Sequence, residues 1–408
     1  MSRNIIDFPQ LKQYNINVYL FTDPLSVPSA RPRESKSAGP NQKKRSERHM
    51  DIKQENFVLH EFSGSWREIG RQYGEDCRDE IIAMLDYWKE ALAPIMPDKS
   101  MDEIIAATRQ FETPIKDYAP EFIEEIEGIA EGSGLSKETI LFHQGSFEMD
   151  VAGPLYIGGC TAFAASGKAT KDGKTIAGQH FDWYDHAAMI MMRIKPDNGV
   201  PMLGTSIAGQ LMQFGINANG IAHYANVLAY PKSVVGTPAV VVAQKALQSK
   251  NLPDAVRCIT QAPNAIALNH MMAGPKGEMI DVEATPDTCG CLLPENGEDI
   301  LTHSNNFLCH YLQANDLGGQ TSFPDTFLRW YRLRQLMRDH YGEIDVAVMQ
   351  QLMQDHRCYP DSICRHCDYT GPAFEQFRTL ISMISLPAEG KMYVSPQPCE
   401  APYKLFTL

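Results

Sequence analysis

Apolar side chains follow a helical period through residues 63 to 150, and this pattern predicts that helices dominate this part of the chain. One predicted helix begins after Pro120 and ends at Gly132-Ser133-Gly134. A shorter one follows Ser136, whose hydroxyl can cap the run Lys137–His143. The earliest helix is predicted from apolar residues that share one face, which are Ile81, Ile82, Leu85, Trp88 and Leu92.

The pattern changes after Cys160 to short alternating or apolar runs that are separated by turn residues. Two of the turns are Lys171-Asp172-Gly173-Lys174 and Asp197-Asn198-Gly199, so the neighbouring runs are predicted to form hairpins. The predicted strands are Cys160–Ala165, Thr175–His180, Met189–Ile194, Gln213–Ile216, Ile221–Val227, Met279–Glu283 and a terminal hairpin of Thr379–Leu386 and Lys391–Val394. The predicted helices are Ala239–Gln248, Leu252–Gln261 and Thr326–His340.

Helices and antiparallel strands in long separate blocks are typical of a layered α+β sandwich. Residues 1–50 differ from the rest because they are polar, basic and rich in proline, and we expect them to form a disordered extension. Met50 is an alternative start of the protein, and a basic binding tail is the functional alternative for the extension. We therefore expect an extension over residues 1–50, a helical part over 51–159 and a strand-rich part over 160–408.

Acidic residues outnumber basic ones, and the formal net charge is -13. Because this charge repels polyanions, we expect no nucleic-acid partner. No apolar run approaches the roughly 20 residues of a membrane-spanning helix, and the start of the chain lacks the pattern of a secretory signal. We expect a cytoplasmic protein, monomeric or homo-oligomeric, whose ten cysteines are mostly reduced and buried.

Cys160 stands where the helical pattern gives way to strands, directly after Gly158 and Gly159. Glycine adopts backbone conformations that are closed to other residues, so the peptide before Cys160 can be distorted and accessible. If the thiol attacks the preceding carbonyl and the chain is cut, the new α-amine has an unperturbed pKa of about 7.7 to 8.0 and can act as the base for the thiol. The alternative is an ordinary buried thiol after a glycine turn.

Six segments carry motifs that support the catalytic interpretation through their order and spacing. They are Phe62-Ser63-Gly64-Ser65-Trp66-Arg67-Glu68-Ile69-Gly70, Gly159-Cys160-Thr161-Ala162-Phe163, Gly178-Gln179-His180-Phe181-Asp182-Trp183, Gly215-Ile216-Asn217-Ala218-Asn219-Gly220, His303-Ser304-Asn305-Asn306 and Asp361-Ser362-Ile363-Cys364-Arg365-His366. Together they resemble the acyl-coenzyme A:6-aminopenicillanic acid acyltransferase family, peptidase family C45, within the N-terminal nucleophile hydrolases. The resemblance extends from about residue 57 to the end of the chain.

This resemblance implies a precursor that is cut between Gly159 and Cys160 into a helical α-chain and a catalytic β-chain. Both chains remain in one four-layer αββα sandwich. Asp182 matches the aspartate that orients and stabilises the new ammonium group, a role that charge proximity supports. An aspartate that caps a turn is the alternative.

The resemblance also implies the groups that bind the oxyanion and the substrate. Attack on an amide creates an oxyanion that needs fixed donors. Asn305 matches the position that supplies a side-chain amide, and Asn226 matches a second asparagine in related bile-salt and penicillin V hydrolases. Arg378 matches an arginine near the family's active site and Arg365 is a second candidate, for a substrate carboxylate or for Asp182. Structural asparagines at strand ends and solvated arginines are the alternatives.

The expected activity is that of an amidohydrolase or acyltransferase that acts through a thioester on Cys160. We expect no cofactor, and acyl-coenzyme A is a candidate acyl donor. His180 and Phe181 stand where the penicillin-forming relatives have asparagine and tryptophan, which alters the pocket wall. A β-lactam precursor is therefore not the favoured substrate, and the acyl group and its acceptor stay open.

Two rival hypotheses keep the fold but change the chemistry. In the first, the chain is a conventional cysteine hydrolase in which His180 or His186 is the base for an uncleaved Cys160. In the second, the sandwich is a non-catalytic module that binds a small molecule.

A third rival is a zinc site near the end of the chain. Only Cys364 and Cys367 have the spacing of a zinc knuckle, and they overlap one of the family motifs, so we expect no metal. The compact group of candidate ligands is Cys358, Cys364, His366 and Cys367.

Overall fold

Two β-sheets face each other in the computed structural model, and helices cover the outer face of each sheet. The structure describes residues 57–93, 96–151, 159–295, 297–318, 324–370 and 376–408. The extension predicted over residues 1–50 lies outside the described residues, so its lack of structure stays a prediction.

The larger sheet has eight described strands, and the smaller one has six. In spatial order, the eight-stranded sheet contains β1 (Leu59–Gly64), β4 (Met189–Pro196), β5 (Met202–Ile207), β6 (Phe214–Asn217), β7 (Ala222–Val227), β8 (Leu268–Ala273), β9 (Met279–Ala284) and β10 (Cys289–Leu292). The six-stranded sheet contains β11 (Ile300–His303), β2 (Gly159–Ala165), β3 (Ile176–Tyr184), β12 (Phe377–Leu386), β13 (Lys391–Ser395) and β14 (Lys404–Thr407). The described pairs are antiparallel except for β1 with β4, which is parallel.

Six described helices precede Gly159 and four follow it. Polar side chains mark several helix starts: Ser65 Oγ accepts from the Glu68 N–H at 3.3 Å, and Ser100 forms a capping box with Glu103. The helices are α1 (Trp66–Asp76), α2 (Arg78–Leu92), α3 (Met101–Ala107), α4 (Glu112–Tyr118), α5 (Pro120–Ser133), α6 (Lys137–Val151), α7 (Ala239–Leu247), α8 (Leu252–Gln261), α9 (Asp325–Asp339) and α10 (Val346–Leu352).

The contacts between these elements give four layers. Strands β2 and β3 pack against β7 and β8, so the inner faces of the two sheets bury each other. Helices α7 and α8 pack on the outside of the eight-stranded sheet, while α9 and α10 pack on the outside of the six-stranded sheet. The fold is the predicted α+β sandwich with αββα layers. None of the described helices is long and apolar enough to cross a membrane.

Helices α1 and α5 touch through their backbones. A Cβ on Gly70 would lie 2.0 Å from the carbonyl oxygen of Glu125, and a Cβ on Gly128 would lie 2.2 Å from that of Arg67. No larger residue fits at either position without moving a helix. This contact explains why Gly70 closes the first of the sequence motifs.

Several elements differ from the prediction. The segment before Gly159 also contributes strand β1, which adds a parallel edge to the eight-stranded sheet. Helix α6 continues to Val151 instead of ending at His143. Residues 144–148 are all buried, so no apolar stripe marks the continuation in the sequence. The expectation that most cysteines are buried is wrong. All ten are free, and the buried ones are Cys77, Cys160, Cys309 and Cys364.

Candidate active site

Cys160 is the second residue of β2, and the ladder with β3 determines what surrounds it. Cys160 lies opposite Phe181, and Gly159 lies opposite Asp182. Residues directly opposite in a ladder share a face, and successive residues alternate between faces. We call the side that carries Cys160 and Phe181 the thiol face, and the side that carries Thr161 and Asp182 the carboxylate face. The thiol face points toward the eight-stranded sheet, and the carboxylate face points toward α9.

The thiol face borders a small apolar cavity. Helix α6 contributes Phe147, whose ring makes an edge contact with Phe181 at a centroid distance of 6.3 Å. Phe181 and Phe214 are 5.2 Å apart, so aromatic rings close one side of the cavity. The full lining is Phe147, Cys160, Phe181, Gln213, Phe214, Ala225, Val227, Ala239, Ala243, Ile266 and Leu268.

Burial controls the state of the Cys160 thiol. Burial is the largest cause that raises its pKa, the nearby Asp182 carboxylate raises it further, and the result is about 12. Arg329 and the backbone N–H groups of Asp182 and Val227 act in the opposite direction. The uncleaved chain therefore holds a protonated thiol at neutral pH, with donors in place that favour the thiolate.

On the carboxylate face, Asp182 is fully buried, and only one of its two carboxylate oxygens accepts a hydrogen bond in the part of the chain that the structure describes. Its Oδ1 accepts a hydrogen bond of 2.7 Å from the Thr379 hydroxyl, whereas Oδ2 has no hydrogen-bond partner among the described residues. A Cβ on Gly159 would lie 2.9 Å from this Oδ2. Only glycine at position 159 leaves room for the carboxylate beside the bond that precedes Cys160.

Arg365 contacts three carboxylates on the carboxylate face. Its Nε lies 3.7 Å from Asp182 Oδ2, and its terminal nitrogens pair with Asp325 and Asp361. The Arg365 N–H donates to Thr379 Oγ1 at 3.0 Å, so one hydroxyl links the backbone of Arg365 to Asp182. The structure thus brings Arg365 to Asp182, as one of the two predicted arginine roles requires.

Arg329 on α9 is a site residue that the sequence reasoning missed. Its Nη1 donates to the carbonyl oxygen of Cys160 at 2.6 Å and to Thr161 Oγ1 at 2.9 Å. Its Nη2 donates to Asn305 Oδ1 at 3.0 Å, and its Nε pairs with Asp325. The available signal was an arginine within a buried stripe at helical spacing, formed by Thr326, Arg329, Leu333 and Met337.

The two predicted asparagines occupy different environments. Asn305 Oδ1 accepts from the Cys160 N–H at 2.8 Å, and Asn305 Nδ2 donates to the Val227 carbonyl oxygen at 2.9 Å. Asn226 is also buried, on β7 between cavity residues Ala225 and Val227. Neither polar atom of the Asn226 amide has a partner among the described residues. Buried polar groups are ordinarily hydrogen-bonded, so Asn226 is a donor without a protein acceptor.

A second missed group fixes the loop that carries Asn305. His303, the last residue of β11, lies 2.9 Å from Glu283 Oε1, and Glu283 Oε2 accepts from the Cys309 N–H at 3.1 Å. Burial lowers the pKa of His303, but the carboxylates of Asp281 and Glu283 outweigh it and raise the pKa to about 9. The resulting buried ion pair holds both ends of the loop between His303 and Cys309.

The comparisons with known proteins identify the family of the chain. The model of the family described as acyl-coenzyme A:6-aminopenicillanic acid acyl-transferase matches residues 169–397, which is more than half of the chain. The chain belongs to this family. The predicted family is therefore confirmed, while its placement in peptidase family C45 stays a prediction.

One curated protein that is similar to this chain is the acyl-coenzyme A:6-aminopenicillanic-acid-acyltransferase 40 kDa form of Emericella nidulans. The two are 25% identical over 307 residues, which is 74% of this chain and 83% of the relative.

Two solved structures show weak likeness to the family member. One is a conjugated bile acid hydrolase mutant from Clostridium perfringens, with 14% identity, a TM-score of 0.44 and coverage of 61% of this chain and 92% of the hydrolase. The other is penicillin V acylase from Agrobacterium tumefaciens, with 14% identity, a TM-score of 0.41 and coverage of 58% and 83%. These scores are too low to support a conclusion about function.

Three other candidates in this acyl-transferase family member lie away from the thiol. Arg378 pairs with Asp185 instead of Asp182, and its Nη1 donates to Gln397 Oε1 at 3.2 Å, so the role of holding Asp182 falls to Arg365. His180 lies on the carboxylate face opposite Thr161, and its Nδ1 is 2.8 Å from the Ile363 carbonyl oxygen. His186 is exposed, whereas Cys160 is buried. This arrangement argues against His180 as the base of an uncleaved Cys160.

Proposed function

We propose that this family member cuts its own chain between Gly159 and Cys160 and then uses Cys160 as an N-terminal nucleophile for acyl transfer. The observation that carries the proposal is that a thiol and a carboxylate lie on opposite sides of the peptide bond between Gly159 and Cys160. The Cys160 thiol borders an apolar cavity, while Asp182 Oδ2, which accepts no hydrogen bond from the described residues, lies against Gly159 on the other side.

In the cutting step, Cys160 Sγ bonds to the carbonyl carbon of Gly159 and gives up its proton. The bond between that carbon and the Cys160 nitrogen then breaks, the nitrogen gains a proton, and Gly159 is held as a thioester. Water adds to the thioester carbonyl and the carbon–sulfur bond breaks. The products are a carboxylate on Gly159 and a free amine on Cys160.

The carboxylate face supports the charge that this step creates. As the nitrogen of Cys160 becomes an ammonium group, Asp182 Oδ2 gains a hydrogen-bond donor, which it lacks among the described residues of the uncleaved chain. Asn305 Oδ1 already accepts from the same nitrogen. Arg365 and Thr379 fix the Asp182 carboxylate, so its position does not change when the charge appears.

In the mature enzyme, the Cys160 amine takes the thiol proton and the thiolate attacks an acyl donor. The negative oxygen that forms needs donors, and we assign the Asn226 amide and the second hydrogen of Asn305 Nδ2 to it. Asn226 suits this role because its side-chain amide has no hydrogen-bond partner in the part of the chain that the structure describes.

The cavity selects the acyl group. Its lining is apolar apart from Cys160 and Gln213, and the enclosed space is small. We therefore assign a small apolar acyl group, delivered as an amide or as a thioester such as acyl-coenzyme A. Water as acceptor gives hydrolysis, and an amine gives transfer.

Intact mass spectrometry of the protein with acyl-coenzyme A thioesters of increasing chain length tests this function. We expect one acyl group on the chain that begins with Cys160, and no adduct in Cys160→Ala. Cys358→Ser, which removes an exposed thiol, is the control and should acylate normally. Turnover with the acyl group attached elsewhere, or with no requirement for Cys160, would contradict the proposal.

A further inference from the structure

Two histidines and two cysteines meet outside the active site, beyond the carboxylate face. The ligand atoms of His356, Cys364, His366 and Cys399 all lie within 4.8 Å of one another. Cys364 and His366 come from the loop after α10, and Cys399 follows β13. From this geometry we propose that these four residues bind a zinc ion, which ties the loop carrying Arg365 to the segment after β13.

The distances come within about 0.4 Å of those around a tetrahedral ion with two sulfur and two nitrogen ligands. Typical zinc bond lengths imply separations of about 3.8 Å between two sulfurs, about 3.6 Å between sulfur and nitrogen, and about 3.3 Å between two nitrogens. Cys364 Sγ and Cys399 Sγ are 3.4 Å apart, and His356 Nε2 and His366 Nε2 are 2.9 Å apart. His366 Nε2 lies 3.8 Å from Cys364 Sγ and 3.4 Å from Cys399 Sγ.

The ligand types favour zinc among the common divalent ions. Two thiolates and two imidazoles are a closed structural zinc set, whereas magnesium and calcium prefer oxygen ligands. Gln397 Nε2 lies 3.6 Å from Cys364 Sγ and 3.9 Å from Cys399 Sγ, so one side-chain amide donates toward both sulfurs. Such outer contacts orient metal ligands.

The proposed ion bears on the active site through one residue. Arg365 lies between ligands Cys364 and His366, and its guanidinium faces Asp182 Oδ2. Gln397 Nε2 also donates to the Arg365 carbonyl oxygen at 3.1 Å. An ion that fixes residues 364 and 366 therefore fixes the backbone that positions Arg365 against Asp182. Its role is structural, because none of the four ligands borders the cavity at Cys160.

The ligand set differs from the one considered in the sequence. Cys364 and His366 belong to both, but Cys358 and Cys367 do not belong to the four-residue group. The Cys367 thiol is instead influenced by the charges of Asp185, Arg378 and Arg365 and by the Tyr369 hydroxyl. The correct partners, His356 and Cys399, are 43 positions apart in the chain, so their pairing shows only in the fold.

Metal content tests the proposal directly. The full chain, purified under reducing conditions without chelators, should hold about one zinc per molecule. Cys399→Ser should lose most of this zinc, and Cys358→Ser, the matched thiol control, should keep it. The Cys160→Ala protein should also keep its zinc, which separates this result from the outcome for self-cleavage.

Cobalt provides a second readout if a variant folds poorly. Wild-type protein loaded with Co²⁺ should show the visible absorption of a tetrahedral site and a thiolate charge-transfer band. His356→Gln should weaken the metal binding and change the visible bands. Reduced wild-type protein that binds neither ion, or zinc content that is unchanged in Cys399→Ser, would overturn the proposal. So would a Cys364–Cys399 disulfide that persists in reducing buffer.

Discussion

The thiol face and the carboxylate face are two sides of the same pair of strands, yet one presents apolar side chains and the other presents charged ones. Around Cys160, the thiol face presents rings and aliphatic side chains that enclose a cavity. The carboxylate face presents a buried network in which Asp182, Asp325, Arg329 and Arg365 pair with one another. The period of two in a β-strand makes this separation possible, since adjacent residues serve different environments.

The difference between the two faces shows how the segment around Cys160 can serve both self-cleavage and acyl transfer. An apolar face binds an acyl group well, but it raises the pKa of a thiol and gives no support to a developing charge. A charged face supports an ammonium group and fixes the backbone of Cys160, but its buried charges do not suit an apolar acyl group. We infer that cleavage depends mainly on the carboxylate face and that acyl selection depends on the thiol face.

The strongest test of this division is Asp182→Asn. The substitution keeps the shape but removes the charge that stabilises the new ammonium group, so we expect self-cleavage to slow by about 100-fold or more. The rate is measured by mass spectrometry of the uncut and cut chains after refolding. Asp185→Asn, which removes the partner of Arg378 instead, should cleave at close to the wild-type rate. Equal slowing in both variants would contradict the assignment.

Arg329→Met tests the charged network itself. Arg329 is buried and pairs with Asp325, so its loss leaves a poorly compensated carboxylate and should reduce the free energy of unfolding by about 3 to 5 kcal/mol. Arg338→Met on the same helix breaks an exposed pair with Glu298 and should cost at most about 1 kcal/mol. Urea titration of both proteins in the Cys160→Ala background separates this effect from cleavage. Similar losses in the two variants would show that the network adds no stability.

Asn226→Leu tests a polar group between the two sheets. Because the amide has no partner, replacing it with an apolar side chain of similar size should leave stability unchanged or raise it by about 1 to 3 kcal/mol. Turnover should fall by about 100-fold to 1,000-fold if the amide binds the oxyanion. Thermal unfolding and steady-state kinetics give the two readouts. Lower stability with unchanged turnover would assign Asn226 a structural role instead.

The pH profiles of the two reactions should differ. The pKa of the Cys160 thiol is raised to about 12 in the uncleaved chain, so the thiolate fraction and the cleavage rate should rise with pH across the neutral range. The rise is up to about tenfold per pH unit if the thiolate is the attacking form. Turnover by the mature enzyme should instead level off at or above about pH 8, once the Cys160 amine is deprotonated. Identical profiles would contradict the change of base.

Ala243→Val tests the acyl cavity, and its expected effect is the smallest of these predictions. Ala243 lines the wall on the α7 side, and two added methyl groups take volume from the acyl site. We expect about a tenfold loss of kcat/KM for the longest acyl group that the wild type accepts, relative to an acetyl group. The acetyl substrate serves as the internal control. A uniform loss for all acyl groups would indicate general damage to the fold.

Local patterns were enough to predict the strands around Cys160 and the helices that precede them. The motifs placed Cys160, Asp182 and Asn305 in one cluster, and the fold brings these three together. The prediction ended helix α6 too early because Gln144 and Glu148 are buried polar residues, so the apolar period fades in the sequence. Strand β1 was missed because its parallel partner β4 lies more than 100 residues away.

The remaining site residues depend on contacts that no local pattern contains. Arg329 shares its helix with three arginines that are half-buried or exposed, and only its place in a buried stripe distinguishes it. Arg365 and Arg378 looked equivalent in the sequence, but the β12 ladder places Thr379 opposite Asp182 and Arg378 opposite Trp183. The cysteine and histidine group considered in the sequence shares Cys364 and His366 with the group in the fold, whereas His356 and Cys399 join it only after folding.

The central claim is that Cys160 becomes the first residue of its own chain. N-terminal sequencing and intact mass of the freshly purified wild-type protein and of Cys160→Ala measure this directly. We predict two fragments in the wild type, one of which begins at Cys160-Thr161-Ala162, and a single uncut chain in the variant. A wild-type protein that remains uncut while it turns over acyl substrates would contradict the account.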